Sequence, residues 1–187
     1  MKAIIIFGPP GSGKGTQAKL LSEKLNLLHI STGDLLRQEI AQQTKLGKEI
    51  TSLMEKGNLV SDEIVLSMIK DFLIKNNEKD VILDGFPRTL PQALELLKIV
   101  ENLDVSSIRV INLNIDEEEI IQRLLLRAQI EKRADDNLAT VKDRLNVYYS
   151  QTKPILDFFR SQNVKILEFN GKGTIEDIQR EITKKLI

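Results

Sequence analysis

Five short apolar runs punctuate the chain: KAIIIF at 2–7, LHI at 28–30, VILD at 81–84, IRVINLNI at 108–115 and VKILEF at 164–169. Most are continuous and β-branched rather than alternating, the pattern of parallel strands covered on both faces. Between them apolar positions recur at helical spacing. In KGTQAKLLSEKL, Ala18, Leu21 and Leu25 share one face, while Lys19 and Glu23 lie off it. Asp116, with Glu119 three residues later and IIQRLLL beyond, reads as a helix N-cap. Strand–helix alternation of this kind predicts an α/β sandwich with right-handed crossovers around a five-stranded parallel sheet.

Two stretches break the alternation. Residues 31–60 hold two helical patterns, STGDLLRQEIAQQ and KLGKEITSLMEKG, with no strand between them. Residues 127–136, within RAQIEKRADDN, are polar and charged between two helices. The expected organisation is therefore one domain, with a core of residues 1–30, 61–126 and 137–187, a small helical insertion at 31–60 and a short excursion at 127–136. At 187 residues the chain can bury a core without a staple.

Composition narrows the chemistry. Cysteine is absent, which excludes disulfides, cysteine-ligated zinc and a thiol nucleophile. Basic and acidic residues balance at 27 each, so the field of the whole chain does not suit nucleic acid, and an anionic ligand must be held by a local cluster. No run reaches membrane-spanning length, and the apolar start MKAIIIF is too short for a signal peptide. A cytoplasmic protein that engages no membrane is the expectation.

Directly after the first strand comes GPPGSGKGT, residues 8–16. Gly8, Gly13 and Lys14 match the G-x-x-x-x-G-K phosphate-binding loop, placed between a strand and a helix as that loop requires. Glycines let successive backbone N–H groups curl around phosphate oxygens, the helix start adds positive potential, and Lys14 adds a mobile charge. The position after the lysine is Gly15, with Thr16 one place later, which leaves direct hydroxyl coordination of a metal open. LDGFPRT at 83–89 puts Asp84 at the end of a strand, as a turn residue or a holder of water around Mg²⁺, and projects Arg88 from a stiff turn.

Arg37, Arg88, Arg123, Arg127, Arg133 and Arg144, six of nine arginines, fall in or near that turn and the two excursions. Arg123 and Arg127 leave one helix face at i, i+4 spacing. Guanidinium forks bind phosphate bidentately, so the grouping points to phosphate, although each arginine alone reads equally as a surface ion pair. The lone histidine, His29, sits in a strand and reads as core.

GPPGSGKGTQAKLL, ISTGDLLR, GNLVSDE, LDGFPRTLPQA and the paired arginines, in this order, resemble the adenylate kinase family from about residue 2 to residue 174. The resemblance implies a P-loop sandwich in which 31–60 binds the nucleoside monophosphate and 127–136 is a short, zinc-free lid. It implies reversible transfer of phosphate from ATP to AMP with Mg²⁺, in a monomer. Gly11, Ser12, Gly13, Lys14, Gly15 and Thr16 would hold the ATP phosphates, with Arg123 and Arg127 on the same side and Gly173 beside the ATP adenine. Thr32, Arg37, the backbone of Asn58, Leu59 and Val60, and Gly85, Phe86, Pro87 and Arg88 would face AMP. Gln92 would pair with its adenine, and Arg133 and Arg144 would close over the phosphates. Asp135 and Asp136 match an acidic pair near the lid hinge, or equally a helix N-cap.

Two other readings are open. A UMP/CMP kinase would share the loop, the short lid and the arginines. Thr32, where those enzymes usually carry a small apolar residue, and the stretch TLPQ ending in Gln92, where they tend to have asparagines around the turn, argue against it. A nucleotide-dependent switch would call for a guanine-reading N-K-x-D, which the chain lacks.

Overall fold

The structure, a computed structural model, describes residues 1–103, 105–131 and 137–186, the side chains of Glu131 and Leu138 apart. Five parallel strands, β1 (Lys2–Phe7), β2 (Leu28–Ser31), β3 (Val81–Asp84), β4 (Ser107–Asn114) and β5 (Lys165–Asn170), form one sheet in the order β2-β3-β1-β4-β5. Each predicted strand is present within one residue of its expected ends. The central strand registers Ile5 against Leu83 on one side and Val110 on the other.

The continuous apolar runs are explained by helices on both faces. Alternate residues Ala3, Ile5 and Phe7 face a cluster with α4 (Asp62–Lys75), α5 (Leu90–Asn102) and α8 (Ile155–Ser161), through Ile69, Leu96 and Phe159 among others. Ile4 and Ile6 point the other way, onto Ala18 and Leu21 of α1 (Lys14–Leu25) and Ile178 and Ile182 of α9 (Ile175–Leu186). A strand that is buried on both sides has no polar face to show, which is why no alternation appears. A smaller cluster, Ile120, Leu124, Val141 and Leu145, joins α6 (Glu117–Glu131) to α7 (Leu138–Val147). The cap read at Asp116 is made: its Oδ1 accepts from the Glu119 N–H at 3.1 Å.

Residues 31–60 contain α2 (Thr32–Ala41) and α3 (Lys45–Glu55), and Leu36, Ile50 and Val60 from this stretch join the main apolar cluster. The two helices cross at Gly47, where a Cβ would sit 2.1 Å from the Glu39 carbonyl oxygen. No side-chain motion relieves a clash with backbone. Gly47→Ala is therefore expected to prise α2 from α3, costing about 3 kcal/mol and lowering Tm by about 6–12 °C in a thermal melt.

All five strands run in parallel, so their carboxyl ends share one edge of the sheet. Phe7, Ser31 and Asp84 end there, and Ser31 and Ile6 both register against Asp84. Open α/β sheets bind ligands at this edge. No helix among the described residues is long and apolar enough to cross a membrane.

Candidate active site

The glycine loop leaves β1 and enters α1 through Gly13, whose φ of 89° lies in the left-handed region open to glycine. A Cβ on Gly13 would meet nothing within 4 Å, so it would project into open space at the mouth of the loop. The first turn of α1 carries no acidic residue, and Gly13 provides no side-chain cap. The helix N-terminus thus keeps its free N–H groups and positive potential. The Ser12 Oγ is buried with no hydrogen-bond partner. A positive, partnerless concavity of this kind fits a polyphosphate.

Lys14 folds back so that its Nζ donates to the Pro9 carbonyl at 2.8 Å. Burial of the ammonium lowers its pKa from 10.5 to about 7; Asp84 opposes the shift, while Arg88, Arg144 and Arg127 add to it by repulsion. The loop thus stores a cation where cations are crowded, a tension that an arriving anion relieves.

The larger cleft encloses about 790 Å³, a size suited to a nucleotide. Gly11, Ser12, Gly13, Lys14, Gly15 and Thr16 line it together with Asp84, Arg123, Arg127 and, at its far end, Gly173 and Ile175. Arg123 is oriented there by Glu119 at 2.7 Å and by the Gly171 carbonyl at 3.0 Å. The smaller cleft brings together Thr32, Arg37, Asn58, Leu59, Val60, Gly85, Arg88, Gln92 and Arg144. Arg37, Arg88, Arg144 and Gly85 line both clefts, so the two spaces meet at a wall of three arginines. Phe86 and Pro87 are buried and line a smaller cavity behind the loop, with Lys14, Tyr148 and Thr152. Arg133, Asp135 and Asp136 lie outside the described residues, as does half of the stretch read as a lid.

Several side chains of the smaller cleft are already engaged. The Thr32 hydroxyl donates to the Gly85 carbonyl at 2.8 Å and holds the turn. Arg37 pairs with Asp34 on its own helix. The Arg88 backbone is tied at both ends: its N–H donates to Gln92 Oε1 at 2.8 Å, and its carbonyl accepts from the Thr152 hydroxyl at 2.8 Å. Its Nε donates to the Gly85 carbonyl at 2.7 Å. Thr152 ends a π-helical turn, Tyr148–Thr152, that follows α7. Its wider winding is of the kind found at functional positions.

One expectation is corrected. His29, read as a core residue, is half-buried at the edge of the larger cleft, with Nε2 3.6 Å from Asp84 Oδ2. The strand β2, LHIS, is four residues long with only Ile30 fully buried, so the sheet edge leaves its neighbours facing the cleft. Three contributors escaped the sequence reading. Gln17, buried in α1, donates to the Ile175 carbonyl at 3.0 Å and ties the loop's helix to the far end of the cleft. Its spacing to Leu21, i, i+4, was the available signal. Asp62 and Thr152 act across 27 to 64 residues of sequence, and no local pattern marks them.

Asp84 Oδ2 lies beside the loop, 3.3 Å from where a Gly15 Cβ would stand. A single hard carboxylate next to a phosphate cradle fits Mg²⁺, which is usually held by one or two carboxylates, water and the substrate's own phosphates. No group of three His, Cys, Asp or Glu residues suited to a metal occurs among the described residues.

A glycine-cradled helix start on a five-stranded parallel sheet, opening on two clefts that share arginines, defines a P-loop α/β protein of the kinase kind. The adenylate kinase family model matches residues 6–164. Over 179 residues the chain is 46% identical to an adenylate kinase of Parabacteroides distasonis, covering 95% of this chain and 94% of that one. It is 42% identical to an adenylate kinase of Leptospira biflexa across the full length of both chains. The chain belongs to the adenylate kinase family, and so to the nucleoside monophosphate kinases, a group of phosphotransferases.

Proposed function

We propose that the chain transfers the γ-phosphoryl group of ATP to AMP, reversibly and with Mg²⁺, giving two ADP. One observation carries this reading above others: the larger and smaller clefts converge on Arg37, Arg88 and Arg144. Two polyanions bound in the two clefts would meet end to end at that wall, the arrangement an in-line transfer needs.

The loop residues Gly11 to Thr16 would cradle the ATP phosphates, with Lys14 swinging from Pro9 onto the transferring group. Arg123 and Arg127 would hold the ATP side. Arg37, Arg88 and Arg144 would neutralise the AMP phosphate and the charge spread over the transferring group. Arg133, by resemblance, would join them. The AMP phosphate is already anionic near neutral pH, so no general base is called for. Asp84 would hold Mg²⁺ through water, and the ion would supply positive charge against the phosphates. Thr32, the backbone of Asn58 to Val60, Gly85 and Gln92 would seat the AMP nucleoside, and Gly173 the ATP adenine. A single chain supplies every one of these contacts, which supports a monomer.

Proton linkage gives one test. Lys14 titrates near 7 in the free protein, and a bound polyphosphate raises that pKa, so binding takes up a proton. Affinity for ATP is therefore expected to weaken as pH rises from 7 toward 9. Calorimetry at pH 8 in buffers of different ionisation enthalpy should show net uptake in the native chain and none in Lys14→Met. The reaction itself is tested by phosphorus NMR with Mg-ATP and AMP. Two ADP per ATP consumed, with no ADP when AMP is left out, is the expected result. Phosphate release without AMP dependence would overturn the proposal.

A further inference from the structure

Gln92 is almost wholly enclosed, 2% exposed, and both ends of its amide are engaged. Oε1 accepts from the Arg88 backbone N–H at 2.8 Å, and Nε2 donates to Asp62 Oδ1 at 2.8 Å. Asp62 is itself steadied by the Thr89 hydroxyl, which lies 2.9 Å from each carboxylate oxygen. Thr89 in turn caps α5 by accepting from the Gln92 N–H at 3.3 Å. Asp62 opens α4 and Gln92 lies in the first turn of α5, so the contact links two neighbouring helices.

The two partners of the Gln92 amide each have one role. A backbone N–H can only donate, and a carboxylate can only accept. Turned over, the amide would set its NH₂ against the Arg88 N–H and its oxygen against the Asp62 carboxylate, losing both bonds and gaining two repulsions. One orientation is therefore fixed. It leaves one N–H of Nε2 and one lone pair of Oε1 for a ligand in the smaller cleft, which Gln92 lines.

We propose that Asp62 is a specificity-determining positioning residue, which locks the Gln92 amide so that its remaining donor and acceptor match adenine and oppose a 6-oxopurine. This rests on the reading of Gln92 as the residue that meets the AMP base. Adenine offers an acceptor at N1 and a donor at its 6-amino group. Hypoxanthine offers a donor at N1 and an acceptor at O6, the reverse pair. An amide free to turn over could serve either base, and a locked one serves only the first. Asp62 touches neither substrate nor reacting atoms; it acts through Gln92.

The test compares dissociation constants for AMP and IMP, measured by calorimetry without ATP, together with kcat for AMP. In Asp62→Asn the side-chain amide can donate to Gln92 Oε1, so one of the two locks is lost. The preference for AMP over IMP is expected to fall about ten-fold, from weaker AMP and tighter IMP binding, with kcat changed less than about three-fold. Asp62→Ala carries the same test should the asparagine variant fold poorly. Thr89→Ala removes both the α5 cap and the hydroxyl that steadies Asp62, so it should lower Tm and shift the preference in the same direction as the Asp62 variants, by less. A native AMP/IMP ratio in both Asp62 variants, with Gln92→Leu collapsing that ratio, would overturn the lock and leave the Gln92 reading standing. A native ratio in Gln92→Leu would overturn the Gln92 reading and the lock with it.

Discussion

Arg88→Ala is expected to lower kcat by about 10³-fold while leaving the melting temperature close to native. The reason for that separation lies in how the residue is held. Gln92 and Thr152 grip its backbone N–H and carbonyl, and both contacts survive truncation of the side chain. Only the guanidinium is lost, at the point where the two clefts meet. Its Nε is fixed on the Gly85 carbonyl, which orients the guanidinium plane before any phosphate arrives. Arg88→Lys would keep a positive charge but not the planar fork, and should recover only a small part of the loss. Steady-state kinetics with a thermal melt on each variant checks this. A near-native kcat in Arg88→Ala would remove Arg88 from the phosphate wall.

Lys14→Met is the second large effect, and it should move activity and stability apart. Turnover is expected to fall about 10²–10³-fold, because the mobile charge proposed to follow the transferring group is gone. Stability should not fall with it. Burial and three nearby arginines disfavour the charged form of Lys14 in the free protein, lowering its pKa to about 7. The unfolded chain, with the ordinary pKa, binds more protons between pH 7 and 10.5, so Lys14 costs stability below pH 7 and this cost fades as pH rises through that window. Removing the group should therefore leave Tm at pH 6 equal to native or higher, and the difference should shrink by pH 9. A Tm clearly below native at pH 6 would contradict this account of the loop.

What the sequence could reveal depended on the range of the physics. Strand positions were legible because Ile4, Ile5 and Ile6 are buried on both sides of the sheet, and that leaves a continuous apolar run. The glycine loop was legible because its motif is written in consecutive residues. The grouping of Arg37, Arg88 and Arg144 was suggested by their placement in the turn and the two excursions, but their assignment to one wall came through resemblance, since no spacing rule joins residues 37, 88 and 144. The couplings that hold the site in place were not legible. Gly47 looks like any helical glycine until α2 is seen crossing it at the Glu39 carbonyl. Asp62 reads as an ordinary first-turn acid, Thr152 as an ordinary threonine, and His29 as strand core, because each is defined by a partner distant in sequence. Binary patterns report burial; they do not report which donor meets which acceptor.

The most direct measurement is acceptor choice: initial rates of nucleoside diphosphate formation from Mg-ATP with AMP, UMP, CMP and GMP at equal concentration. The account predicts rapid ADP formation with AMP and far slower turnover with the other three. Preference for UMP or CMP would keep the fold and the arginine wall but contradict the adenine-reading role of Gln92. No transfer to any of the four, despite ATP binding, would contradict phosphoryl transfer between the two clefts altogether.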